Sequence, residues 1–294
     1  MHKHLLWILV CFIVPSYAQT LEKRTFVHNN IERSYLVYVP ELYQPDISVP
    51  LVINLHGFGK DAAYAAQHRD FRPLADTANF IVVYPNGTRE KVTGNRFWNY
   101  GKVMGSEVDD VGFLETMIDS LAVQYNINSK RIYAVGMSNG SYLCYLLACR
   151  SNRFAAIASV TGSMSVKMFN QCTPQTPIPV LHIHGTKDPI NPYKGNSSSK
   201  GIEEVIQFWA RANQCNAQPV IETLDNIHEK DGATAQRIVY TDGIRGNRVE
   251  LIKIIGGGHS WPGTGKKTMW GKTSKDINAT AEVWRFLRNF ERSD

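Results

Sequence analysis

Beyond its first two dozen residues the chain has no apolar run long enough to span a bilayer, so no helical membrane span is expected downstream of the N-terminus. It also lacks a basic arm or a Lys/Arg-rich face. The 32 Lys and Arg against 26 Asp and Glu are scattered in ones and twos, and nucleic acid is therefore a poor partner despite the formal charge of +6. Cysteine is scarce, five in 294 residues, with no CxxC pair and no spacing of the zinc-site kind, so no metal is expected. No internal repeat and no Pro/Ser/Gly linker divides the chain, which predicts a single domain over residues 19–294 around one large core.

What is present begins with a leader. Met1-His2-Lys3-His4 is a short basic region, Leu5 to Val14 is apolar but too short to cross a membrane, and Ser16-Tyr17-Ala18 forms a small-residue cleavage site. Residues 1–18 are read as a signal peptide, and the protein is expected to be secreted or periplasmic. A lipid anchor at Cys11 is the rival reading, disfavoured by Val10 where a small residue would stand. The remaining Cys144, Cys149, Cys172 and Cys215 then lie in an oxidising compartment, which predicts one or two disulfides. Cys172, in a Pro-rich loop, is the favoured participant; the pairing stays open.

Residues 24–28 and 33–39 flank Asn29-Asn30 and read as an antiparallel hairpin at a sheet edge. Continuous apolar runs over 50–55, 80–84, 131–135, 154–160, 179–184 and 249–255 have the character of strands buried on both faces. Between them, helical patterns cover 62–78, 202–212, 279–290 and a segment capped by Asp109-Asp110 with Val111, Leu114, Ile118 and Leu121 at helical spacing. The segments 220–224 and 237–241 also look like strands, while 86–108 shows no periodicity and reads as a long loop, usually functional. The expected fold class is α/β, a mostly parallel central sheet with helices on both faces and an antiparallel N-terminal edge hairpin.

In such a sheet, ligands bind beyond the carboxyl ends of the strands. Four sharp turns fall there: His56-Gly57-Phe58-Gly59, Gly136-Met137-Ser138-Asn139-Gly140, Gly185-Thr186-Lys187-Asp188 and Gly256-Gly257-Gly258-His259. The second is a GxSxG between a strand and a helix, the sequence form of a nucleophile elbow. Taken alone it reads equally well as a turn with a capping serine. Together the turns supply Ser138, Asp188 and His259 in the order nucleophile, acid, base. A serine hydroxyl attacks only when a base takes its proton, an imidazole can accept and return one near neutral pH, and a carboxylate fixes that imidazole's tautomer. Asp109 and Asp110 are set aside as helix caps, Asp231 and Asp242 as turn residues. His182 and His184, alternating on a strand, are read as sheet packing. The peptide N–H groups of Asn139 and Phe58 are the expected oxyanion donors.

These stretches, with Phe71-Arg72-Pro73-Leu74-Ala75-Asp76 and Gly258-His259-Ser260-Trp261-Pro262-Gly263, resemble the secreted α/β-hydrolase family that groups feruloyl esterases and acetylxylan esterases with polyhydroxybutyrate depolymerases. The resemblance implies an α/β-hydrolase fold, catalytic Ser138, Asp188 and His259, and no cofactor. It also implies that Trp98 and Trp261 lie near the mouth of the site. Tyr100 is a further substrate-binding candidate, as a loop aromatic able to stack on a phenolic acid or a sugar ring. Many members carry cysteines after the Trp98 equivalent, where this chain has Gly101-Lys102-Val103-Met104-Gly105. The expected activity is ester cleavage through an acyl-enzyme, on feruloyl or acetyl esters of plant polysaccharide. Polyhydroxyalkanoate depolymerisation and non-catalytic carbohydrate binding are the alternatives. Oligomeric state is not legible.

Overall fold

The computed structural model describes residues 20–265 and 269–292. The signal-peptide reading falls outside them. The chain enters through β1 (Glu22–His28) and β2 (Ile31–Tyr38), paired antiparallel. Asn29 and Asn30 both take positive φ, 49° and 60°, the left-handed pair that lets a two-residue turn follow the strand twist.

Then come β3 (Val49–Leu55), α1 (Ala62–His68), α2 (Arg72–Ala78) and β4 (Ile81–Pro85). The single helix expected over 62–78 is thus two. Pro73 has no N–H to offer the Arg69 carbonyl, which instead accepts from the Asn54 side chain at 3.0 Å. The long loop holds a minimal hairpin, β5 (Thr88–Arg89) with β6 (Arg96–Phe97).

It leads into α3 (Asp110–Gln124), β7 (Ile127–Met137), α4 (Asn139–Arg150), β8 (Ala156–Val160), α5 (Val166–Gln171) and β9 (Val180–Gly185). The six-residue α5 is too short to show a helical period and was not expected from sequence. The chain closes with α6 (Ile202–Ala212), β10 (Val220–Thr223), β11 (Thr234–Tyr240), β12 (Val249–Ile255) and α7 (Ala279–Leu287).

Among the described residues ten strands form one sheet, in the order β1-β2-β4-β3-β7-β8-β9-β12-β11-β10. The six from β4 to β12 are parallel, and an antiparallel pair flanks them on each side rather than on the N-terminal side alone. Alternation within the apolar strands divides the core. Leu51, Ile53, Ile132 and Ala134 join α3, α4 and α6 on one face, whereas Val52, Tyr133 and Val135 join α1, α2 and α7 on the other.

Cys149 at the end of α4 is bonded to Cys172 after α5, while Cys144 and Cys215 are free. The bridge closes a loop across 23 positions. Its replacement in a Cys149→Ser/Cys172→Ser double variant is expected to cost about 3 kcal/mol, read as a lower denaturation midpoint.

Candidate active site

The segment joining β7 to α4 carries Ser138 with φ 55° and ψ −119°, a backbone conformation that non-glycine residues hold only under constraint. The constraint is close approach on both sides. A Cβ on Gly136 would lie 2.4 Å from the Gly140 carbonyl carbon, and one on Gly140 would lie 2.6 Å from the His56 carbonyl oxygen. The two glycines are therefore required for contact distance, and the positive φ falls on the serine between them. The Ser138 N–H donates to the Val160 carbonyl of β8 at 2.9 Å, tying the turn to the sheet edge.

Asn139 is clamped next to it. Its side chain accepts from the Trp98 N–H at 2.6 Å and donates to the Trp98 carbonyl at 3.0 Å. The turn after β3 is held by His56, whose Nε2 accepts from the Gly87 N–H at 2.9 Å and whose Nδ1 therefore donates to the Gly57 carbonyl at 2.8 Å. Burial lowers the His56 pKa to about 4, so the ring stays neutral and the tautomer is set. The N–H groups of Phe58 and Asn139 donate to no other protein group among the described residues.

At the ends of β9 and β12, His259 Nδ1 lies 2.8 Å from Asp188 Oδ2, and both groups are buried. The His259 N–H donates to the Trp270 carbonyl at 2.9 Å. Asp188 Oδ1 accepts from the N–H groups of Ile190 and Asn191 at 2.8 and 2.9 Å. Ser138 and His259 line one cleft of about 660 Å3. No hydrogen bond joins Ser138 Oγ to the imidazole among the described residues, a contact that substrate-free sites often tighten only on binding.

A buried chain of polar groups runs behind the carboxylate. Tyr145 OH lies 2.6 Å from His182 Nδ1, His182 Nε2 lies 3.0 Å from His184 Nδ1, and His184 Nε2 lies 2.9 Å from the Asn191 carbonyl and 3.4 Å from Asp188 Oδ2. A carbonyl can only accept, so His184 Nε2 carries the proton. Desolvation depresses the pKa of both rings, that of His184 to about 4, and keeps them neutral. One direction then satisfies every contact: the tyrosine donates to His182, His182 to His184, and His184 to the Asn191 carbonyl and the Asp188 carboxylate. These histidines do pack the sheet, as their alternation suggests, but they also reach the acid.

The sequence-predicted wall is revised. Trp98 is fully buried, its indole N–H donating to the His56 carbonyl at 2.9 Å and its ring 4.9 Å from the imidazole. It supports the turn from beneath and does not line the cleft. Tyr100 stacks on Tyr142 at 4.6 Å and faces a separate cleft beside the disulfide. Trp261 does line the Ser138 cleft, and so does Phe58. Tyr64, Arg69 and Trp270, which the sequence did not single out, also line it. Of the acids set aside as caps, Asp109 accepts from the Gly112 N–H at 2.9 Å as expected. Asp110 is instead buried against Arg33 at 2.6 Å and accepts from the Asn99 N–H at 2.7 Å, so it pins the long loop.

Residues 33–190 match the family described as Esterase PHB depolymerase, more than half of the 294-residue chain. A bifunctional acetylxylan esterase/xylanase of Neocallimastix patriciarum is 28% identical over 244 residues, covering 83% of this chain and 33% of that protein. Feruloyl esterase B of Piromyces equi is 27% identical over 246 residues, covering 80% of this chain and 44% of that protein. The chain thus spans less than half the length of these two curated relatives. Among solved structures, an acetyl xylan esterase from Aspergillus awamori has the same fold, with a TM-score of 0.61 at 15% identity over 81% of this chain and 94% of that one.

Proposed function

The chain belongs to the Esterase PHB depolymerase family, and from that premise we propose that it is a secreted or periplasmic serine carboxylic-ester hydrolase working through an acyl-enzyme. The observation that carries the reading is the Asp188–His259 hydrogen bond at 2.8 Å, beside a serine held at an elbow in the same cleft. His259 Nε2 takes the hydroxyl proton as Ser138 Oγ attacks the ester carbonyl, and the N–H groups of Phe58 and Asn139 receive the oxyanion. The intermediate collapses, the alcohol leaves with the proton from His259, and water repeats the sequence to free the acid and restore Ser138.

The cleft supports a substrate class. A volume of about 660 Å3 walled by Phe58, Tyr64, Trp261 and Trp270 exceeds what an acetyl group fills and suits a planar aromatic acyl group. Feruloyl esters of plant polysaccharide are the preferred substrates on this reading, ahead of acetyl esters and hydroxyalkanoate oligomers. The Cys149–Cys172 bridge supports export, because disulfides persist in oxidising compartments.

The test is a panel of methyl ferulate, acetylated xylan and hydroxybutyrate oligomers assayed with the parent and with Ser138→Ala. Ser138-dependent turnover of methyl ferulate, at the highest kcat/KM of the panel, is the expected result. Glycan binding with no turnover of any ester would instead identify a carbohydrate-binding protein.

A further inference from the structure

The break between α1 and α2 leaves Arg69 at the C-terminal end of α1, on the wall of the Ser138 cleft. The residue is 5% exposed, and its Nη1 is buried without a hydrogen-bond partner among the described residues. Its guanidinium lies 5.5 Å from the Tyr64 ring and 5.8 Å from the Trp261 ring, so aromatic faces are its neighbours where a carboxylate would be usual. The adjacent Asp70 is taken by Arg72, at 2.8 Å. Arg33, also deeply buried and also with an Nη1 unpartnered among the described residues, differs in having Asp110 against its Nη2 at 2.6 Å. Buried charges are ordinarily paired, because stripping water from an ion is costly when nothing replaces it.

The rest of the wall has the same bias. Lys60, His68 and His259 line the cleft with Arg69, and no Asp or Glu does among the described residues. Burial lowers the Arg69 pKa only to about 10, which leaves it cationic at neutral pH.

We propose that Arg69 receives a carboxylate carried by the substrate, so that between two otherwise matched esters the anionic one is preferred. This rests on the esterase reading and narrows it. A guanidinium fork can pair with a carboxylate through two parallel hydrogen bonds, and Tyr64 and Trp261 flank this one. Such a carboxylate has two chemical sources: a uronic acid on the esterified polysaccharide, or the free end of a hydroxyacid oligomer.

Two matched substrate pairs separate them. One is a hydroxybutyrate trimer and its methyl ester; the other is an acetylated xylo-oligosaccharide with a glucuronic acid branch and its carboxyl-reduced counterpart. In one pair the carboxylate member is expected to have about tenfold or greater kcat/KM, carried mainly by KM. Arg69→Met should bring that ratio to about one, and Arg69→Lys, which keeps the charge without the fork, should retain part of it. Absence of a preference in both pairs, or a preference that survives Arg69→Met, overturns the proposal.

Affinity measured by calorimetry on Ser138→Ala supplies a readout that needs neither turnover nor a folded Arg69→Met protein. Tighter binding of a carboxylate member, weakened by added salt, is expected there, and equal affinities within both pairs overturn the proposal. Carboxylate-selective binding by a protein that hydrolyses nothing would defeat the esterase reading and leave this inference standing. Ser138-dependent hydrolysis of neutral esters with no carboxylate selectivity would do the reverse.

Discussion

Ser138→Ala is expected to lower turnover of a short p-nitrophenyl ester by about five orders of magnitude, down to the residue of catalysis that binding and the oxyanion donors supply by themselves. The size of the loss follows from what the hydroxyl does. It is the atom that becomes acylated, and neither His259, already committed through Nδ1 to Asp188, nor a peptide N–H can replace it. The stability of the same position points the other way. Ser138 sits at φ 55° and ψ −119°, strained for any residue with a Cβ, so Ser138→Gly is expected to be inactive yet more stable by about 1 kcal/mol. Denaturation midpoints and initial rates on the same preparations check both halves. A Ser138→Ala protein retaining a tenth of parental turnover would remove Ser138 from the chemistry.

How far this site can be read in advance depends on the range of the contacts that build it. The elbow is legible because its parts adjoin in the chain: an apolar strand, two glycines four positions apart with the serine between them, and a helix. The parallel strands are legible for a similar reason, since burial on both faces leaves an uninterrupted apolar run. Helical periodicity carried straight through Pro73, and so α1 and α2 read as one helix. Pro73 is the available signal of the break, and the structure shows Asn54 taking the carbonyl that it leaves unpaired.

The lining of the site is less legible, because it depends on which distant groups meet. Trp98 lies in an aperiodic loop, the usual setting of a ligand-contacting aromatic. Its N–H finds the His56 carbonyl 42 positions away, and the ring is buried as a result. Arg69 gives no signal because an arginine within a segment that reads as one continuous helix is ordinary; the unpartnered Nη1 exists only in three dimensions. His182 and His184 were visible as a pair, but their alignment with Tyr145 from α4 was not.

Asp188→Asn is expected to cost roughly four orders of magnitude in kcat while the protein still folds. The reason lies in how completely the carboxylate is surrounded by donors. Oδ1 accepts from Ile190 and Asn191, and Oδ2 accepts from His259 Nδ1 at 2.8 Å with His184 Nε2 at 3.4 Å. An amide has one acceptor end. If its oxygen stays on the two N–H groups, its NH2 faces both imidazoles. His184 cannot turn its proton away, because Nε2 also serves the Asn191 carbonyl and Nδ1 is occupied by His182. His259 can, by moving its proton from Nδ1 to Nε2, and that tautomer has no lone pair to offer the Ser138 hydroxyl. If the amide flips, its NH2 meets the N–H groups of Ile190 and Asn191, and the turn after β9 loses its anchor instead. Nitrogen-15 NMR of the His259 ring should report the tautomer exchange in the same variant whose kcat has fallen. A folded Asp188→Asn protein with kcat within tenfold of the parent, and with His259 still protonated at Nδ1, would mean that the carboxylate does not orient the base.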